Sequence, residues 1–379
     1  MRGHIRKRGT TWSIVVDIGR DENGKRKQKW FSGYKTKKEA EKALAGIIDK
    51  IEKNQYFDVE NISLKDYLFY WLENYASKNV AESTYKRYKE FSSKIIDFLG
   101  NIDLNKLKPI HLQTFYSKLS EEEHLSNSTI LKIHRMLHLA LKHAVGWQMM
   151  YNNPSDAVTP PRAKKIDIKV WDSDTSNNFL EFIKNEKIYL PVLLALHTGM
   201  REGEISALKW ENVDLEKGYI YVVANMQYLN GKLTLKEPKT KKSIRNIALM
   251  DSTIKALEKY KKEQLQNKLL LGNKYKDDNF VCTHENGEPL NPQYISKRFL
   301  IYEKAYKKIQ EENNETPIEI IRFHDLRHTH ATLLLKAGVN PKIVSERLGH
   351  ASVSITLDIY SHVLPNIQKE AIGKLNDVF

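Results

Sequence analysis

The hydrophobic period of the chain changes several times, and each change marks a different kind of element. Over residues 4–34 the period is two: Trp12, Ile14, Val16 and Ile18 alternate with polar positions, Asn23-Gly24 offers a hairpin turn, and KQKWF resumes the extended pattern. A small antiparallel sheet of three strands is expected there. At Thr36 the period lengthens: Thr36 and Glu39 form a capping-box signature, and a helix to about residue 53 would bury Ala40, Leu44, Ile47, Ile48 and Ile51. From 63 to about 158 the pattern is helical throughout. Leu64, Tyr67, Leu68, Trp71, Leu72 and Tyr75 form one stripe, and Tyr85, Tyr88, Ile95, Ile96 and Leu99 form another behind a Ser83 cap. Leu107, Ile110, Leu112 and Phe115 continue it, and residues 128–147 supply a last long helix. Four or five helices in a bundle are expected.

Asn152-Asn153-Pro154 and Thr159-Pro160-Pro161-Arg162 break that pattern, and Ala163-Lys164-Lys165 follows, which reads as a linker over 161–168. Beyond residue 169 helix and strand signals mix. Residues 190–196 read as a buried helix ending at Thr198-Gly199, with a new helix beginning around Arg201-Glu202, where free backbone N–H groups would favour an anion. Residues 218–249 alternate as strands, with Asn230-Gly231 marking a hairpin, and Val353, Ile355, Leu357 and Ile359 surround Tyr360 in an apolar helical stretch. Trp171 and residues 294–299 read as core or interface. The last residues, with Val363, Leu364, Ile367, Ala371, Ile372 and Leu375, form a short amphipathic helix. The expected fold class is multidomain and mainly α with small antiparallel β-sheets: 1–58 three strands plus a helix, 59–160 a helical bundle, and 169–379 a mixed α+β domain with a tail helix.

Charge adds a partner to this outline. The formal net charge of the 379-residue chain is +14, and residues 1–58 alone hold 15 Lys and Arg against 8 Asp and Glu, half of that excess. Both charge signs are plentiful and aromatics reach 10%, so the chain is folded rather than disordered, and its partner is a polyanion. Arg6, Lys7, Arg8, Arg26, Lys27 and Lys29 lie on the first strands, where a sheet face could meet a DNA groove. In the bundle, Lys86, Arg87 and Lys89 lie off the apolar stripe and are candidates for phosphate contacts. Cys282 is the only cysteine, which excludes an internal disulfide and a cysteine-built zinc site. No run approaches the 18 or so apolar residues of a membrane span, and MRGHIRKRG has no signal core behind it, so a cytoplasmic protein is expected.

The chemistry concentrates in residues 322–363. His324 and Arg327 sit three residues apart at a helix start, so an imidazole and a guanidinium share one face. His350 follows a Leu-Gly turn, and Tyr360 comes ten residues later. Two donors suited to phosphate, a second histidine and a phenol point to phosphoryl transfer through a tyrosine.

HDLRHTHAT, ERLGH and TLDIYSHV resemble the His-x-x-Arg, Leu-Gly-His and nucleophilic-tyrosine boxes of the tyrosine recombinases, the phage and transposon integrase family. LALHTGMREGEISALKW resembles the family's first arginine box, with Arg201 as its arginine and Glu204 able to hold that arginine or the next in its rotamer. KEPKTKKSIRNIAL resembles the turn that carries the family's lysine; by position this is Lys239, with Lys236, Lys241 and Lys242 as neighbouring alternatives. NVAESTYKRYKEFSSKIIDFLG and LKPIHLQTFYSKL resemble the family's core-binding domain, and 1–58 resembles its arm-type DNA-binding domain. The resemblance implies that Arg201 and Arg327 bind the scissile phosphate, Tyr360 attacks it, Lys239 protonates the leaving hydroxyl, and His324 and His350 assist. It implies a 3′-phosphotyrosine intermediate without cofactor or metal, and double-stranded DNA as partner at core and arm sites. It also implies a homotetramer joined by exchange of C-terminal tails, and leaves room for accessory excision or DNA-bending factors. The basic front module favours a mobile-element or prophage integrase over a chromosome resolvase.

Three other readings compete. Residues 337–360 alone read as a helix-turn-helix, which would make the protein a regulator that cuts nothing. His324, His328 and His330 read alone suggest a metal cluster, though no carboxylate or cysteine accompanies them. A type IB topoisomerase would share the chemistry, and the front module gives it no use here.

Overall fold

The computed structural model describes residues 3–20, 26–52, 62–164, 167–229, 231–236 and 244–360, without the side chains of 18–20, 26–27, 50–52 and 359–360. The Asn23-Gly24 turn, Asn230, Lys239 with Lys241 and Lys242, and the tail from 361 lie outside the described residues. The molecule is mainly helical with small antiparallel sheets, and it divides into two compact units, Met1–Lys165 and Ile166–Phe379.

The first unit opens with β1 (Gly3–Arg8), β2 (Thr11–Arg20) and β3 (Arg26–Tyr34), antiparallel in the order β1-β2-β3. Period-two patterning puts Ile14 opposite Ile5 and Phe31, and α1 (Lys37–Glu52) covers that face, burying Ile14, Val16 and Ala40. Glu39 N–H donates to Thr36 Oγ1 at 3.2 Å and Thr36 N–H to Glu39 Oε2 at 3.3 Å, closing the capping box.

The bundle comprises α2 (Leu64–Trp71), a π-helical turn (Leu72–Ala76), α3 (Ser77–Asn79), α4 (Glu82–Leu99), α5 (Pro109–Glu121) and α6 (Asn127–Gly146). Trp71, Tyr67, Tyr116 and Phe115 fill its core, and buried Trp71 donates from Nε1 to His143 Nδ1 at 2.9 Å. Two sequence expectations fail here. Ser83 lies inside α4, whose N-cap is Ala81, because the helix starts two residues earlier than a Ser83 cap would place it, with Glu82 in its first turn. Ile110 is 62% exposed: α5 starts at Pro109 and buries Leu112, Phe115, Tyr116 and Leu119, and Ile110 lies about 200° from Leu112 around the axis.

In the second unit α7 (Ser173–Phe182), α8 (Tyr189–Thr198) and α9 (Glu202–Ser206) precede the strands. β4 (Val213–Asp214), β5 (Tyr219–Val222) and β8 (Arg245–Ala248) form one antiparallel sheet in the order β4-β5-β8, and β6 (Asn225–Leu229) pairs with β7 (Lys232–Lys236) as a hairpin. α10 (Asp251–Leu271), α11 (Pro292–Glu312), α12 (Asp325–Lys336), α13 (Pro341–Leu348) and α14 (Val353–Tyr360) complete it. α8 is apolar on every side because it is surrounded; Leu190, Val192, Leu194 and Leu196 are all buried. Trp171 is core as expected, donating from Nε1 to the Glu319 carbonyl at 2.9 Å. α14 is helical as expected, but Ile355 and Leu357 are 37% and 41% exposed, and among its described side chains Thr356 is the buried one. Residues two apart in a helix point about 200° away from each other, so that alternation never made one apolar face.

Candidate active site

The site is assembled from chain turns. α8 ends at Gly199, whose left-handed φ of +67° reverses the chain; an added Cβ there would meet Leu348 Cδ2 at 2.6 Å and His330 Cδ2 at 2.7 Å. Arg201 then takes an extended conformation as the N-cap of α9. Its N–H is not open to an anion, as the sequence suggested, because Glu204 Oε2 accepts it at 2.8 Å. Glu204 Oε1 accepts from Arg201 Nη1 at 2.8 Å. Glu204 also receives Arg245 of β8, from Nη1 to Oε1 at 3.2 Å and from Nη2 to Oε2 at 2.9 Å. Burial pushes this carboxyl up, but the hydrogen bonds and charge of Arg245, with the charge of Arg201, outweigh it and hold the group at about 2. The acid therefore supports two arginines at once.

Arg327, on α12, is 2% exposed. Its Nη1 donates to the Gly199 carbonyl and its Nη2 to the Leu348 carbonyl, each at 2.6 Å, so one guanidinium ties the turn after α8 to the turn after α13. His324 stands at the N-cap of α12, and its neighbour Asp325 is buried in an ion pair with Arg322. Gly349, at a φ of +69°, turns the chain into His350, whose Nδ1 lies 2.8 Å from Thr356 Oγ1. Burial and then the charges of Arg327 and Arg201 lower both histidines, His350 to about 4. Arg201, Arg327, His324 and His350 thus share one electrostatic neighbourhood, and both imidazoles are neutral at pH 7.

Other expected residues fall elsewhere or out of view. Tyr360 is the last residue of α14, and its side chain lies outside the described residues, as does all of Lys239. Arg6, Lys7 and Arg8 are exposed on β1, with the Arg8 guanidinium 4.9 Å from the Trp30 ring centre. Arg26 and Lys27 begin β3 with side chains outside the described residues, and Lys29 is half-buried. Lys86, Arg87 and Lys89 are exposed on α4. His330 does not join His324 and His328: its Nε2 accepts from Arg347 Nε at 3.1 Å, which leaves Nδ1 to donate to the Leu196 carbonyl at 2.7 Å. Among the described residues no three His, Cys, Asp or Glu side chains gather as ligands, and no helix is long and apolar enough to cross a membrane.

Sequence reasoning missed Arg245 and Arg347. Arg347 donates from Nη1 to the Ala248 carbonyl at 3.0 Å and from Nη2 to the His197 carbonyl at 2.9 Å, bonds to main chain that no spacing announces. Arg245 did leave a signal. It precedes buried Ile247 by two positions in a strand and so shares its inward face.

Comparison with known proteins follows the same division of the chain. The phage integrase family model matches residues 169–366, an arm DNA-binding domain model residues 4–51, and a phage integrase N-terminal SAM-like domain model residues 63–120. A tyrosine recombinase XerC-like protein of Caldanaerobacter subterraneus subsp. tengcongensis is 31% identical, over 97% of this chain and 96% of its own. The structure of the Tn1549 transposon integrase in complex with a circular intermediate DNA superposes with a TM-score of 0.71 at 23% identity, over 83% of this chain and 99% of that one. A lambda integrase tetramer bound to a Holliday junction gives 0.57 at 19% identity, over 93% and 96%. At these identities the two structures speak for the fold, and the family match and the full-length relative speak for descent. The chain belongs to the phage integrase family and is a tyrosine-type site-specific recombinase.

Proposed function

We propose that this recombinase serves a mobile element or prophage, cutting and rejoining DNA strands through a 3′-phosphotyrosine link at Tyr360. The observation that carries the reading is the shared neighbourhood of Arg201, Arg327, His324 and His350, built on Glu204 and the Gly199 and Leu348 carbonyls. Arg201 and Arg327 donate to the non-bridging oxygens of one phosphodiester and neutralise charge as a fifth oxygen approaches phosphorus. The Tyr360 oxygen forms the new bond to phosphorus while the bond to the 5′ oxygen breaks. A free phenol ionises at about pH 10, so its proton must be taken, and neutral His324 is suited to accept it. Lys239 gives a proton to the departing 5′ hydroxyl, and His350 donates to the phosphate or orients the phenol. The ester energy is kept in the protein link, so a different 5′ hydroxyl can reseal the strand without a cofactor.

In this reading 1–58 binds arm sites through Arg6, Lys7, Arg8, Arg26, Lys27 and Lys29, and 59–160 binds core sites through Lys86, Arg87 and Lys89. Residues 161–168 link it to the catalytic domain 169–379. The protein acts in the cytoplasm as a tetramer on DNA with exchanged tails, with accessory excision or bending factors as further partners. Integrases and transposases of phages and transposons among the chain's relatives support the mobile-element assignment. The XerC-like relative matches the front module too, so that module does not by itself separate the two classes. The regulator reading loses its basis, since the turn between α13 and α14 is an anchor for buried Arg327.

The test uses a nicked duplex carrying a radiolabelled phosphate, incubated with the protein and then denatured. Label should stay on the wild type and vanish with Tyr360→Phe; an unlabelled wild type would sink the proposal.

A further inference from the structure

Arg245 lies in the stretch that resembles the family's lysine turn, where the sequence reading gave it no role, and all three of its guanidinium nitrogens are held by protein. Two form the fork on Glu204, and Nε donates to the Arg347 carbonyl at 2.7 Å. Its side chain is 6% exposed. We propose that Arg245 is a positioning residue for strand cleavage, holding Arg201 through Glu204 and the His350 turn through Arg347.

The carboxylate's capacity is the starting point. Glu204 has room for about four hydrogen bonds, and Arg201 N–H, Arg201 Nη1, Arg245 Nη1 and Arg245 Nη2 supply four. Without the fork of Arg245, two of those places open, and Glu204 would draw the second terminal nitrogen of Arg201 into a bidentate pair. That rotation turns the guanidinium from an incoming phosphate toward the carboxylate. It also changes the charge. Arg201, Glu204 and Arg245 together keep one net positive charge, whereas Arg201 and Glu204 alone would keep none. With the fork in place, Arg201 donates its side chain to Glu204 from Nη1 only, among the described residues, and stays 35% exposed.

The other end of Arg245 supports the second histidine. Its Nε fixes the carbonyl two residues before Gly349, and a Cβ on Gly349 would lie 3.1 Å from Arg245 Cδ, so the turn rests on the stem of this arginine. His350 is the next residue. One side chain thereby sets the aim of a phosphate-binding arginine and the placing of an imidazole.

This inference rests on the proposed roles of Arg201 and His350, and the test separates the two levels. The full-length protein would be compared with Arg245→Gln, Arg245→Lys, Glu204→Gln and the double variant Glu204→Gln/Arg245→Gln. Each is assayed on a nicked duplex built from the sequence recovered covalently on the wild type, reading the single-turnover rate of joining and the affinity for the duplex. Arg245→Gln should slow joining about 10²-fold, a loss typical of a misaimed group, with affinity changed by no more than about threefold. The double variant should be no more than about threefold slower than the slower single, because both changes break one unit. Arg245→Lys keeps the charge and lacks the fork; it should match the wild-type circular dichroism and still join about tenfold more slowly. If Arg245→Gln does not fold, Arg245→Lys alone and with Glu204→Gln decides in its place. Losses that multiply, wild-type rates in either Arg245 variant, or affinity falling in step with rate would overturn the inference. No label on the wild type would instead overturn the proposed function.

Discussion

Replacing Glu204 by Gln should destabilise the second unit through one identifiable interaction. The carboxylate is 5% exposed between two guanidinium groups, and its folded pKa lies at about 2 against an ordinary 4.5. Converted at about 1.4 kcal/mol per unit, that difference is worth about 3 kcal/mol, in line with the roughly 3–5 kcal/mol lost when one partner of a buried pair is removed. Gln keeps one acceptor oxygen and sets an amide N–H₂ against an arginine, so little is recovered. For a unit of this size the melting temperature should fall by roughly 6–12 °C at pH 7. The sign with pH follows from a depressed folded pKa: the stabilisation is complete above about 4.5 and is lost as pH falls toward 2. The gap between wild type and Glu204→Gln should therefore close as pH is lowered from 5 toward 3, measured by scanning calorimetry of the full chain. A separate acid limb belongs to the buried histidines. His197, His328 and His350 sit at about 4 and His330 at about 3, against 6.5, so stability begins to fall below pH 6.5 in both proteins alike. Equal melting temperatures at pH 7, or a gap unchanged at pH 3, would refute this account of Glu204.

Arg327→Lys cannot reach both the Gly199 and Leu348 carbonyls; strand joining should drop on the order of 10²- to 10³-fold in a single-turnover assay, and a drop under about threefold would contradict the role given to the fork. Gly199→Ala combines a left-handed φ with close approaches of 2.6 and 2.7 Å, so it should cost roughly 2–4 kcal/mol in urea unfolding, and a neutral result would mean the turn can shift. Removing residues 1–58 should flatten the logarithmic salt dependence of DNA binding by about 0.9 for each phosphate that the front module neutralises, read by fluorescence anisotropy across a salt series, and an unchanged slope would count against the arm reading.

What the sequence made legible was local. The Thr36–Glu39 capping box, the apolar stripe of the first bundle helix, and the boxes around Arg201, Glu204, Arg327 and His350 are all short-range patterns, and chemistry confined to a few consecutive residues survives in a linear reading. What stayed hidden depends on partners far apart in the chain. Arg245 meets Glu204 across 41 positions, and Arg327 meets Gly199 across 128. Arg347 works entirely through acceptors far along the chain, two of them carbonyls that every residue carries, so its identity says nothing of its partners. The stretch before Tyr360 is helical as read, but its apolar residues alternate and so share no single face, and Thr356 is buried among them with its hydroxyl against His350.

The most direct measurement is the identity of the residue that carries DNA after cleavage. Tryptic mass spectrometry of the denatured protein–DNA adduct should find a phosphodiester remnant on the Tyr360 phenol, joined to a 3′ end, and none in Tyr360→Phe. A remnant on any other side chain, or a 5′ linkage, would contradict the account at its centre.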